Sequence, residues 1–211
     1  TGSTQRPAVL LVSIDGFRAD YLDRGATPNI ARLAADGARA QWLSPSYPSL
    51  TFPNHYSIVT GLRPDRHGVV NNTMRDAALG RFSLGMREAV SDGRWWGGEP
   101  VWVAAERAGL PTATLFWPGS EAAIGGVRPT RWLPYDGEMP MAARVDTVLG
   151  WLSEPAGTRP RFATLYFDAL DHAGHDAGPD STEVATSLAA VDGAIGRLLD
   201  GLDARGLADA V

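Results

Sequence analysis

The first strong pattern along the chain is a continuous apolar run, Ala8-Val9-Leu10-Leu11-Val12-Ser13-Ile14, that ends on Asp15-Gly16. Continuous runs, unlike alternating ones, suit a strand buried on both faces of a parallel sheet. Thr27-Pro28 then opens a helix as N-cap and first-turn proline, with Ile30, Leu33 and Ala34 on one face and Gly37 placed to close it. The pattern predicts a second strand over residues 38–43. It also predicts a short helix over residues 54–59, stopped by Gly61, with Thr51 and Phe52 at or just before its amino end. Residues 63–98 are rich in Gly, Asn and Arg and are the least regular part. Alternation then resumes, with helix over residues 100–107, strand over 112–117, helix over Met141–Leu152 and strand over Phe162–Phe167. The last helix, from Ser181 to about Arg205, carries Val184, Leu188, Val191, Ile195, Leu198 and Leu202 along one face. This order specifies an α/β fold, a mostly parallel central sheet with helices on both faces.

Composition narrows the class. With 211 residues, 44% of them hydrophobic, the chain has material for one large domain and is not disordered. It has no Cys, so any nucleophile or metal site uses oxygen and nitrogen. The net charge of -5 argues against holding nucleic acid by bulk electrostatics. No apolar run approaches the roughly 20 residues that span a bilayer. Residues 1–7 are polar and lack an initiator Met, which fits a removed signal peptide or an engineered start, and the expected location is periplasmic or secreted. The helical pattern ends where another parallel strand is due, with residues 208–211 as its start. The expectation is therefore one α/β catalytic domain over residues 1–211, incomplete at its carboxyl end.

Ligands of an open parallel sheet bind at the carboxyl ends of its strands. Asp15 sits at one such end, and Asp171 and His175 follow another. A carboxylate with an imidazole four residues on, placed on a strand-end loop, suits zinc or a similar metal better than magnesium. The plain alternative is a surface turn beside Gly174 and Gly178. Thr51 at a helix start sees the positive end of the dipole, which favours a phosphate, although capping is the commonest duty of Thr there. A threonine hydroxyl also needs a metal or base before it attacks anything. Asn72 is either a turn former or a donor to an oxygen where charge develops. His67 reads as structural, and His172 as a solvated or hydrogen-bonded turn histidine with a ligand role as its alternative.

Taken together, Val12-Ser13-Ile14-Asp15-Gly16-Phe17-Arg18, Thr51-Phe52-Pro53-Asn54-His55-Tyr56-Ser57-Ile58-Val59-Thr60-Gly61 and His67-Gly68-Val69-Val70-Asn71-Asn72 closely resemble the nucleotide pyrophosphatase/phosphodiesterase family, in its bacterial form, of the alkaline phosphatase superfamily. Asp171 with Gly174-His175 and Gly178-Pro179 matches that family's next motif. The resemblance implies that Thr51 is the nucleophile and forms a covalent intermediate in the hydrolysis of nucleotide phosphodiester or pyrophosphate bonds. It implies two zinc ions, one held by Asp15 and Thr51 and the other by Asp171 and His175, and it makes Asn72 the donor to a non-bridging phosphate oxygen. Phe52, Leu84 and Tyr135 are expected to wall the base slot, with Trp95 and Trp96 as an alternative wall. Leu50 stands where many members have Lys, and Ala169-Leu170 where they have an acidic-Pro pair. The family's further Asp-His pair and later His lie outside residues 1–211, so a carboxyl-terminal segment of the same protein is expected to complete the site. The alternatives are a superfamily phosphomonoesterase or phosphonate hydrolase, a sulfatase (disfavoured by the missing Cys) and a non-catalytic, metal-stabilised binding protein.

Overall fold

The structure, a computed structural model, describes residues 7–211; the expectation about the processed amino terminus falls mainly on residues 1–6, outside that range. In chain order the elements are β1 (Val9–Ile14), α1 (Pro28–Asp36), α2 (Thr51–Thr60), α3 (Pro64–His67), β2 (Thr73–Asp76), β3 (Gly80–Ser83), α4 (Arg87–Val90), α5 (Val101–Arg107), β4 (Thr112–Leu115), β5 (Arg131–Leu133), α6 (Met141–Leu152), β6 (Phe162–Phe167), α7 (Ala169–Ala177) and α8 (Thr182–Ala204). Four strands form one sheet in the order β1-β6-β4-β5, with β4 and β5 parallel, and β2 pairs antiparallel with β3. The fold is α/β, with a parallel central sheet flanked by helices.

The chain divides into two compact units. The first holds the chain up to Leu43, Asp136–Arg159 and Leu165–Val211; the second holds Ser44–Tyr135 and Pro160–Thr164. In the first unit α1, α6 and α7 all pack on α8. The stripe read from α8 is its buried face: Val184, Leu188, Val191, Ile195, Leu198 and Leu202 are all buried. Tyr21 and Leu170 join Val184 and Leu188 in a core that Ile14 and Phe17 extend. The Ser181 hydroxyl caps α8 by accepting the Val184 N–H at 3.2 Å.

The second unit is centred on aromatic side chains. Phe82 meets Trp95, Trp96 and Phe52 at ring-centroid distances of 5.3, 5.8 and 5.9 Å, and Tyr56 meets Trp96 at 5.0 Å. Trp95 and Trp96 are buried in this core. The Glu106 carboxylate ties α5 to the start of β4 and to the residue before β5, accepting from Thr112 N–H and hydroxyl and from Thr130 N–H and hydroxyl at 2.7–2.9 Å.

Several expectations are corrected. Residues 38–43 form no strand: their backbone has no sheet partner, and Trp42 and Leu43 are exposed. Thr27 precedes α1 but its hydroxyl caps nothing; the Asp192 carboxylate of α8 does so, accepting the N–H groups of Asn29 and Ile30 at 3.1 and 2.9 Å. The helix expected over residues 54–59 begins at Thr51, and the irregular stretch 63–98 holds the β2–β3 hairpin. Residues 208–210 form a turn and not a strand, and the Ala210 carbonyl accepts the Ala8 N–H at 2.8 Å. Asp171 and His175 lie on a helix, α7, and not on a loop.

Candidate active site

In the first unit the carboxyl ends of β1 and β6 lie side by side, since the Asp15 N–H donates to the Phe167 carbonyl at 2.9 Å. Asp15 follows β1 directly. Gly16 has φ +72°, and a Cβ placed there would sit 2.7 Å from the Asp171 Cα, so only glycine lets this turn approach α7 so closely. Asp171 and His175 are one helical turn apart on the same face, with His175 Nε2 3.5 Å from Asp171 Oδ2. His172 is exposed beside them. The donors fit a zinc-class ion in kind, being carboxylates and an imidazole. Among the described residues no three His, Asp or Glu side chains form a group that could hold a metal ion.

In the second unit Leu50 is the N-cap of α2 and Thr51 its first residue, half-buried at the helix start. Asn54 clamps the approaching loop: its Oδ1 accepts the Ser46 N–H at 2.7 Å, and its Nδ2 donates to the Pro48 and Leu50 carbonyls at 3.0 Å each. The first turn offers an anion less bare backbone than expected. Pro53 has no N–H, the Asn54 N–H donates to the Leu50 carbonyl, and the Phe52 N–H donates to Asn72 Oδ1 at 3.0 Å. That last bond fixes the Asn72 amide. With Oδ1 engaged as an acceptor, Nδ2 is left as its donor side.

The base-slot residues are placed as follows. Phe52 is half-buried, its ring backed by Phe82 and Trp96. Leu84 is exposed and donates its N–H to the Asn72 carbonyl at 3.0 Å, extending the hairpin past its last pair. Tyr135 is 39% exposed, with its ring 5.4 Å from Phe116 and its N–H on the buried carboxylate of Glu121 at 2.9 Å. Phe116 has φ +61°, an uncommon conformation for a non-glycine residue, just past the carboxyl end of β4. The strand expected over residues 112–117 therefore ends at Leu115, because Phe116 leaves extended backbone.

His67 is structural. It is wholly buried, its Nδ1 accepts the Val69 N–H, and its Nε2 lies 2.9 Å from the Ser57 hydroxyl, which donates to the Pro53 carbonyl. Burial pushes its pKa below the ordinary histidine value. Thr51, Phe52, Asn72, Leu84 and Tyr135 thus belong to one unit, and Asp15, Asp171 and His175 to the other.

A family model described as type I phosphodiesterase / nucleotide pyrophosphatase matches residues 9–211. The chain is 44% identical over 208 residues to mouse ectonucleotide pyrophosphatase/phosphodiesterase family member 3, covering 97% of this chain and 24% of that protein. It is 45% identical over 216 residues to the venom phosphodiesterase of Naja atra, covering 100% of this chain and 25% of that protein. Among solved structures, murine ectonucleotide pyrophosphatase/phosphodiesterase 5, as an inactive threonine-to-alanine variant in complex with AMP, superposes with a TM-score of 0.91. The two are 33% identical, over 98% of this chain and 55% of that one. The chain therefore spans about a quarter of the length of these curated relatives. All three are animal proteins and lend no support to a bacterial form. A match running from the first strand to residue 211 leaves one assignment: the chain belongs to the type I phosphodiesterase / nucleotide pyrophosphatase family.

Proposed function

We propose that the protein hydrolyses nucleotide phosphodiester or pyrophosphate bonds through a covalent threonine intermediate and releases a nucleoside 5′-monophosphate. The observation that carries this is the α2 start: Thr51 is its first residue, and Asn72 is locked by the neighbouring N–H with its amide nitrogen left to donate. The solved relative, inactive with alanine in place of a threonine and in complex with AMP, supports the same reading.

In this reading Thr51 Oγ1 attacks phosphorus, and the leaving group departs from the opposite side. Water then attacks the threonine phosphoester and releases the nucleotide. The Asn72 amide donates to a non-bridging oxygen, where negative charge grows. Phe52, Leu84 and Tyr135 receive the base, and stacking there tolerates any base because each has a π-face. Asp15 and Thr51 would hold one zinc ion, and Asp171 and His175 a second. When bound, such ions supply the positive field that a chain of net charge -5 lacks and acidify a coordinated hydroxyl. Four donors do not complete two sites, and the carboxyl-terminal part of the same protein would supply the rest. The relatives' names, ecto- and venom enzymes, support the secreted alternative of the expected location.

The test is turnover by the full-length protein of three nitrophenyl substrates with and without chelator: a nucleoside 5′-monophosphate ester, a simple phosphate and a sulfate. Chelator-sensitive preference for the nucleotide diester is expected, and Thr51→Ala should abolish it with the fold intact. Preference for the simple phosphate would overturn the diesterase reading in favour of a monoesterase. No chelator-sensitive turnover would favour a binding protein, and retained activity in Thr51→Ala would remove Thr51 as nucleophile.

A further inference from the structure

Both oxygens of the Asp15 carboxylate are held by protein donors. Oδ1 accepts the Gly16 N–H at 3.0 Å, and Oδ2 accepts the Tyr166 hydroxyl at 2.9 Å. Tyr166 lies on β6, one residue from its end, and is only 6% exposed, so its ring has little room to move. Its backbone is anchored in turn. The Arg144 guanidinium of α6, 2% exposed, donates from Nη1 to the Tyr166 carbonyl at 3.1 Å and to Asp168 Oδ1 at 2.9 Å. Nε and Nη2 of the same arginine donate to the Met139 and Gly137 carbonyls at 3.0 and 3.3 Å. Asp168 immediately precedes α7, which carries Asp171 and His175. One buried ion pair therefore pins the strand end from which the phenol reaches Asp15 and the start of the helix that bears the Asp-His pair.

We propose that Tyr166 is a positioning residue for metal binding: its hydroxyl, on a strand end fixed by the Arg144–Asp168 pair, sets the plane of the Asp15 carboxylate. A terminal carboxylate torsion is broad and roughly two-fold, so a single attachment leaves it free to turn. Donors on both oxygens stop that rotation, while each oxygen keeps lone-pair capacity for a cation. The rotational entropy is then spent on folding and not on binding, which is how outer-shell partners raise metal affinity.

This rests on the reading of Asp15 as a ligand, and the experiment separates the two ideas. Full-length wild-type protein, Tyr166→Phe and Asp15→Asn are compared for zinc affinity, by competition with a chromophoric chelator, and for the visible spectrum of the Co²⁺-saturated protein. Tyr166→Phe removes one oxygen and keeps the ring, so the core packing is retained. The expected result is a roughly 10- to 100-fold loss of zinc affinity in Tyr166→Phe, with a changed Co²⁺ spectrum, and a larger loss in Asp15→Asn. Affinity within about threefold of wild type in Tyr166→Phe, while Asp15→Asn loses it, overturns the positioning role and leaves the metal reading standing. Lost affinity with an unchanged Co²⁺ spectrum at saturation also overturns it, because a general loosening of the fold would do that. If Asp15→Asn binds zinc as well as wild type, the metal reading itself fails and takes this inference with it.

Discussion

Arg144→Met isolates the energetic weight of the buried ion pair beneath the strand end. The arginine and Asp168 side chains are 2% and 8% exposed, so neither charge has water to fall back on. Methionine fills much of the volume but leaves the Asp168 carboxylate without the guanidinium and takes a donor from the carbonyls of Gly137, Met139 and Tyr166. Removing one partner of a buried pair costs about 3–5 kcal/mol, because the remaining charge is left uncompensated. That is a large part of the roughly 5–15 kcal/mol that holds a typical domain together. For a chain of 211 residues it corresponds to a fall in Tm of roughly 6–20 °C. Thermal unfolding followed by tryptophan fluorescence measures it, and the double variant Arg144→Met/Asp168→Leu should recover most of the loss, because no lone charge remains. A single-variant Tm within about 2 °C of wild type, or a double variant no better than the single, would refute the reasoning.

Two further outcomes follow from the site. Gly16→Ala forces a Cβ against the Asp171 backbone at a left-handed φ, costing about 1–3 kcal/mol, and should weaken zinc binding without touching a donor; wild-type zinc affinity, measured by chelator competition, would contradict the close approach. His67 is neutral when buried, and its folded pKa lies below that of the unfolded chain, so the unfolded state gains protons first on acidification. Its contribution to stability is complete above the ordinary histidine pKa of about 6.5 and is lost as pH falls through that value toward the depressed folded one. The Tm difference between pH 7.5 and pH 5.5 should therefore be smaller in His67→Gln than in wild type, and an equal difference would remove His67 as a source of acid sensitivity.

How much the chain declares by itself depends on how local the cause is. The bounds of α6 and β6 follow from the residue pattern alone, as do β1 within a residue and α8 with its serine cap, because strand burial, helical period and capping are all written within a few residues. Gly61 stops α2 for the same reason, adopting φ +67°. The proposed roles of Thr51, Asp15, Asp171 and His175 rest on residue type and order in the sequence.

What the tertiary structure decided depends on partners far along the chain. Residues 38–43 look like a strand but join no sheet, whereas Arg131–Leu133, three residues with no clear signal, becomes β5 because β4 is there to receive it. Asp171 and His175 share a face because residues 169–177 form a helix, α7, which packs on α8. Asp192 caps α1 from a position 162 residues away from Ile30, and Tyr166 reaches Asp15 across a separation of 151. Burial leaves such polar groups no water, so each must find a protein partner. Which partner it finds is settled by the packing of distant segments and leaves no local trace in the sequence.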